Sequence, residues 1–425
     1  MPCLPAMRVE WGVDSIGMQG GGKVFLILRV FAFFLAGALL VVLIHQLLPL
    51  SKAAISKPVL SAETSNHNEP WGDVRITSFV LNRPEDYFSG PMPAAAPVRW
   101  LFGGQSTAEV RAFLESCELG SEVKAKLLDE RNWYAAPEGV WITPELEVVV
   151  GLSEKARTRL YNHLARTREN LAQRYPFVCP MDGPSTWLAQ TGLSQEKVQA
   201  VERTFFKRQN AWCFADAMVF YQMWPSNDVI RLVKAISRIP TVSMAVHIEN
   251  PGDVEVLMRY WNTAGQAGRL RSLLDSLARV PGGTTLDVAD FLPPLPRRLL
   301  YTYPEPNRVQ TGKPVDCFWT AMNFFNTQPD DRFLDPKHTM EVLNRDYQMV
   351  PKADAFGDVI LLYEPGEPAL AVHMCVYLAA DVVFTKNGAD IFQPWILMKL
   401  PDMMAQFPSE TPQKVAVFRR IRKGI

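Results

Sequence analysis

Val30 to Ile44, "VFAFFLAGALLVVLI", is a run of fifteen residues without a charge. Nothing else in the chain limits its folding as strongly. Val24–Leu28 precede it, and Leu47, Leu48 and Leu50 follow. At roughly 1.5 Å per residue, about twenty apolar residues match a hydrocarbon core of about 30 Å. Residues 24–50 are therefore expected to form a transmembrane helix or signal anchor, with the membrane as partner. Arg29 can snorkel to the headgroups. Lys23 and Arg29 flank the entry side, which predicts a cytoplasmic N-terminal segment over residues 1–23. Everything from about Lys52 onward is then exported, to the periplasm or the cell surface, as a single-pass protein of the bacterial cell membrane. A cleaved signal peptide is the alternative, with "VLS" (Val59–Ser61) as its cleavage site. No polar face interrupts the run, which argues against a soluble core helix.

The remaining chain is too long for one ordinary core. With 425 residues in all, two or three folded units are expected. Lys+Arg and Asp+Glu both number 44, so the formal charge is zero and no nucleic-acid partner is expected. Six cysteines stand at 3, 117, 179, 213, 317 and 375, at irregular spacings and without a CxxC pair. That pattern predicts no metal site. It leaves open a disulfide among Cys117, Cys179 and Cys213. No cofactor motif is present: "GGQS" (Gly103–Ser106) lacks the context of a phosphate loop.

Residues 51–70 are polar and aperiodic, and are expected to be a linker. "VRITSFV" (Val74–Val80) has the composition of a strand. From Ser106 the pattern turns helical. Ser106 caps a segment carrying Val110, Phe113 and Leu114. Ser153 starts a helix through about Arg174. Ser194 starts another, with Val198, Val201, Phe205 and Trp212 on one face. "VWITPELEVVVGL" (Val140–Leu152) is strand-like, broken at Pro144. Ser226–Asp228 cap a further helix that Pro240 closes, and Leu270, Leu273, Leu274 and Leu277 mark the next. Residues 71–298 are thus expected to be a mostly helical domain. The prolines of "FLPPLPRRLLYTYPEP" (Phe291–Pro306) place a boundary there, with a separate domain over residues 299–425.

That last domain carries the candidate chemistry. In "VDCFWTAMNFFN" (Val315–Asn326), Phe318, Ala321, Met322 and Phe325 recur at helical spacing. Cys317 then sits at a helix N-terminus, where partial positive charge and free N–H groups favour thiolate. "FGDVILLYE" (Phe356–Glu364) is a turn followed by a buried strand. "LAVHMCVYL" (Leu370–Leu378) is a second strand, containing His373. A turn at Ala379–Asp381 leads into "VVFTKNG" (Val382–Gly388), whose Thr385 or Asn387 can hydrogen-bond one imidazole nitrogen of His373. The other nitrogen would then face Cys317. Cys375 is expected to be core, His163 and His247 structural, and His338 to lie on the surface behind an Asp335 cap. "RRIRKG" (Arg419–Gly424) is expected to be a solvated tail.

The order of "DCFWTA", "GDVILL" and "HMCVYL" resembles the NlpC-type cell-wall cysteine peptidases, compact relatives of papain, over about Tyr301 to Gly388. The resemblance implies a papain-like helix-on-antiparallel-sheet domain and an α+β chain overall. It implies Cys317 as nucleophile and His373 as general base. The family's third polar residue falls at Thr385; Asn387, two further on, is the better imidazole partner by chemistry. Tyr303 or Gln310 would assist the oxyanion site. The implied activity is that of a cysteine peptidase or amidase cleaving an amide or peptide bond, with a peptide or peptidoglycan stem peptide as substrate. Here Phe318 and Trp319 follow the cysteine, where that family usually has a small residue and a glycine. The alternative is a non-catalytic envelope binding or scaffold protein on the same fold.

Overall fold

The computed structural model describes Met7–Val9, Ala62–Thr64 and residues 69–421, apart from 89–95, 180–182, 190, 210, 263–266, 306–311, 313, 367–368, 391 and 408–411. The chain forms two compact units. One is Asn82–Arg238. The other joins the strands before Leu81 to Ile239–Phe407 and the C-terminal strand.

Neither unit matches the mostly helical middle region expected from the sequence. Among the described residues between 71 and 298 the chain lays down nine strands. The unit Asn82–Arg238 holds two three-stranded antiparallel sheets. In one, Trp100–Gly103 and Trp133–Ala136 flank Gly139–Ile142; in the other, Phe177–Val178 and Phe206–Arg208 flank Ala211–Phe214. The helix expected to run from Ser194 until Pro225 ends it stops at Glu202, and Trp212 is on a strand. The helix expected from Ser153 to Arg174 is two pieces, Glu154–Leu164 and Leu171–Arg174. Ser106 does cap its helix, in a reciprocal capping box with Glu109.

At the centre of this unit lies a buried charge. Arg157 is fully buried, and its guanidinium pairs with the carboxylate of Asp216. Tyr161 Oη donates to Asp216 Oδ1 at 2.5 Å, and Arg157 Nη2 donates to Val149 O at 2.6 Å. Burial pushes the Asp216 carboxyl up, and the neighbouring arginine opposes that shift.

The second unit is built on two sheets. The smaller contains β1 (Ala62–Thr64), β2 (Asp73–Leu81), β3 (Ile239–Ile248) and β4 (Thr284–Asp287), all antiparallel, in the order β4-β3-β2-β1. Residues 239–298 thus pack with the C-terminal part rather than with the helices before them. After β3, Asn250 and Asp253 form a capping box around Pro251 that starts helix α1 (Pro251–Trp261).

The larger sheet contains β5 (Tyr347–Val350), β6 (Val359–Glu364), β7 (Ala369–Ala379), β8 (Val382–Lys386), β9 (Trp395–Lys399) and β10 (Lys414–Arg420), in the order β5-β10-β6-β7-β8-β9. Met7–Val9 also pairs with β7. Helices α2 (Cys317–Met322) and α3 (Pro336–Asp346) lie on one face. That face shares a continuous core with the smaller sheet, from Val74, Val246 and Trp261 to Trp319, Met374 and Phe384. The opposite face carries a separate cluster of Ile360, Cys375, Tyr377, Ile396, Met398 and Met403, the last from helix α4 (Leu400–Ala405).

Among the described residues no helix is long and apolar enough to cross a membrane. The stretch 24–50, on which that expectation rested, lies outside them, as does most of the 51–70 linker. What the structure does describe is a mixed α/β chain with antiparallel sheets, not an α+β chain with a helical middle.

Asp216→Asn strands the Arg157 charge, and loss of one partner from a buried pair costs about 3–5 kcal/mol; urea unfolding of the variant reads the loss directly. Ala380 and Asp381 join β7 to β8 with φ of 47° and 58°, the left-handed conformation of a tight hairpin turn. A non-glycine residue there costs roughly 1–2 kcal/mol. Ala380→Gly is therefore expected to raise the unfolding midpoint by the equivalent of about 0.5–1 kcal/mol; a lowered midpoint would show that the turn is not strained.

Candidate functional site

Asp316 caps α2: its carboxylate accepts from Trp319 N at 2.8 Å. All six residues of the helix are buried, and Cys317 is 4 % exposed. The helix is held to the sheet at several points. Trp395 Nε1 donates to Thr320 Oγ1 at 2.9 Å. The Trp319 and Trp395 rings lie 6.3 Å apart, and Phe324 meets Phe384 at 5.8 Å. Beneath the helix start, the fully buried Lys386 donates to Gly388 O at 2.6 Å and Asp390 O at 2.9 Å. Burial pushes the Asp316 carboxyl up, and the Lys386 ammonium pulls the other way.

The sheet register settles which residues share this face. Lys386 pairs with Trp395 and Phe384 with Leu397, so Phe384, Lys386, Trp395 and Leu397 all lie on the side of α2. Val376 pairs with Phe384, so it belongs there too. His373 is three residues from Val376, an odd number, and its partner Leu362 lies between two α2-side positions, Leu361 and Tyr363. The imidazole therefore lies on the opposite face.

Its contacts agree. His373 Nε2 is 2.8 Å from Thr385 Oγ1. The Thr385 hydroxyl donates to Asn387 Oδ1 at 3.1 Å, so it must accept from His373 Nε2–H. That relay holds the ring in one neutral tautomer. Nδ1, the nitrogen expected to face Cys317, is buried and has no hydrogen-bond partner among the described residues. The ring stacks on Phe407 at 4.2 Å and 25°. Burial, with a smaller contribution from the Lys386 charge, brings the His373 pKa down to about 3.

The expected pair is thus divided by the sheet. Thr385 makes the direct bond to the imidazole; Asn387, preferred from its chemistry, is the second member of the relay. The Asn387 amide donates to Met398 Sδ at 3.7 Å. Tyr303 is half-buried just beyond the segment in which Trp395 N donates to Thr302 O at 3.1 Å. Gln310 lies outside the described residues. Cys375 is fully buried on the His373 side, and burial raises its thiol far above the usual range. Among the described residues Cys117 and Cys213 are buried free thiols, so no disulfide joins any two of Cys117, Cys179 and Cys213. Among the described residues no group of His, Cys, Asp or Glu could hold a metal ion.

The "GD" pair has a structural task. Gly357 has φ 91°, and a Cβ there would come within 2.2 Å of the Phe325 ring. The carboxylate of Asp358 accepts from Arg419 Nε at 2.7 Å and Nη2 at 2.6 Å, and from the backbone N–H of Asp354 and Ala355. Arg419, expected in a solvated tail, is on β10 and closes this turn. No family model, curated protein or solved structure matches the chain.

The buried neutral imidazole has a pH signature. Its folded pKa lies below the unfolded value of about 6.5, so the unfolded state binds the proton more readily. The contribution is complete above about pH 6.5 and is lost as pH falls toward 3. Between pH 6 and 4, wild-type stability should fall more steeply than that of His373→Gln, by up to about 1.4 kcal/mol per pH unit. Urea midpoints across that range test this; superimposable profiles would mean that His373 is not buried neutral.

Proposed function

We propose that this chain is a non-catalytic binding or scaffold protein that resembles the NlpC-type peptidases in the order of its elements but not in its chemistry. The single observation behind this reading is that a sheet lies between Cys317 and His373. A nucleophile and its base must come within hydrogen-bond reach, about 2.6–3.2 Å and somewhat looser without substrate. Opposite faces of a strand layer do not allow that without taking the sheet apart.

Other features support the same reading. Phe318 and Trp319 fill the positions after the cysteine with buried bulk, which anchors α2 as a core helix. Trp319 Nε1 also donates to Asp331 Oδ1 at 3.0 Å, tying the helix to the loop that follows it. One observation favours the hydrolase reading instead. The bond between His373 and Thr385 fixes a tautomer as a general base would require, twelve residues after the histidine as in the resembling family. In that reading Cys317 would attack an amide carbonyl of a peptide, and His373 would take its proton.

Thiol reactivity separates the two. On the non-catalytic reading, iodoacetamide alkylates Cys317 under mildly acidic conditions no faster than a model thiol, and His373→Ala leaves the rate unchanged. Faster alkylation that disappears in His373→Ala would establish a working pair and overturn the proposal.

A further inference from the structure

His373 is fully buried, yet its cover is thin. Helix α4 has six residues, well short of the roughly 12–15 at which an isolated helix becomes marginally stable. Between Pro401 and Phe407 only Met403 is fully buried, while Met404 and Phe407 pack half-buried against the same cluster. The segment is tied at its start by Leu400 N, which donates to Asp381 O at 2.6 Å. At its end Gln406 N donates to Met403 O, and Phe407 N to Met404 O, so those bonds are internal to the segment. Phe407, itself half-buried, lays its ring on the imidazole.

Beneath that ring the site is already organised. The chain from His373 through Thr385 to Asn387 keeps the proton on Nε2, which leaves the Nδ1 lone pair free of any hydrogen bond. A buried acceptor without a donor costs stability, and such a group in a folded protein calls for an explanation. Segments with few buried contacts and mostly local hydrogen bonds open at free energies well below global unfolding.

We propose that α4 and Phe407 form a lid over a latent binding group. When the lid lifts, His373 presents a neutral, tautomer-fixed imidazole whose Nδ1 accepts a hydrogen bond from a ligand that carries a donor. The rest of the sheet does not have to move, because the relay holding the ring runs through β8. This device is independent of whether the chain is catalytic, and it lies on the face away from Cys317.

Diethyl pyrocarbonate, which attacks unprotonated imidazole nitrogen, reads the opening residue by residue when modified peptides are mapped by mass spectrometry. In the full-length wild-type chain His373 should react slowly, and His338 on α3 serves as an internal reference. Phe407→Ala should raise the His373 rate roughly tenfold or more and leave His338 unchanged. Phe407→Leu, which keeps an apolar cover, should fall between the two. A His373 rate in Phe407→Ala as slow as in wild type would overturn the proposal. The urea dependence of the wild-type rate decides independently, even if the alanine variant does not fold. A shallow dependence marks lid opening; one as steep as global unfolding would show that no separate lid exists.

Discussion

Alternation along an extended strand sends successive side chains to opposite faces, and the second unit is organised by that rule. The large sheet has two chemically distinct sides. One receives α2, α3 and the smaller sheet, and buries Lys386 against the start of α2. The other carries His373, Cys375 and the methionines under α4. A one-residue slip of β7 would exchange the two sets and place an imidazole in the aromatic core under Trp319. The register is held against that slip by burial on both sides, because β7 is apolar on each face.

The polar groups inside both units are engaged with a purpose that is structural first. Lys386 is satisfied by two carbonyls and by the electrostatics of Asp316, and Arg157 by Asp216, Tyr161 and the Val149 carbonyl. Such groups are costly to desolvate singly and tolerable only as sets. Asp358, itself buried, works in the same way: it orders the turn before β6 and clamps it to β10 through Arg419. The sets are not complete: among the described residues His373 Nδ1 has no hydrogen-bond partner, and neither have Arg157 Nε, Trp100 Nε1 and Trp187 Nε1.

Much of the C-terminal architecture was legible in the residues. The helix from Cys317, the strands around Ile360 and Met374, the hairpin into Val382 and the Asp335 cap all carry local signals of composition, capping and turn chemistry. The middle of the chain was less so. Val198 to Trp212 holds apolar residues at spacings that fit a helix, but the chain turns after Glu202 and uses Phe206 and Cys213 as a cross-strand pair. The stretch Ile239–Ile248 alternates in burial and is rich in β-branched residues, a strand signal masked by the preceding helical pattern and by Pro240. Which face His373 occupies was not legible from motif order. It depends on counting alternation through a bulge between β6 and β7 near Tyr363, and on which side of the sheet α2 lands. Arg419 was hidden for a similar reason: its partner Asp358 is 61 residues away.

Cys317 Sγ and the nearer nitrogen of His373 are kept apart by the sheet, and a crystal structure of the full chain measures their separation directly. Opposite faces of a sheet predict a gap of more than about 8 Å with β7 or β8 backbone between the two groups. Electron density that places them within about 4 Å, with no strand intervening, would contradict the account and restore the pair as a reacting unit.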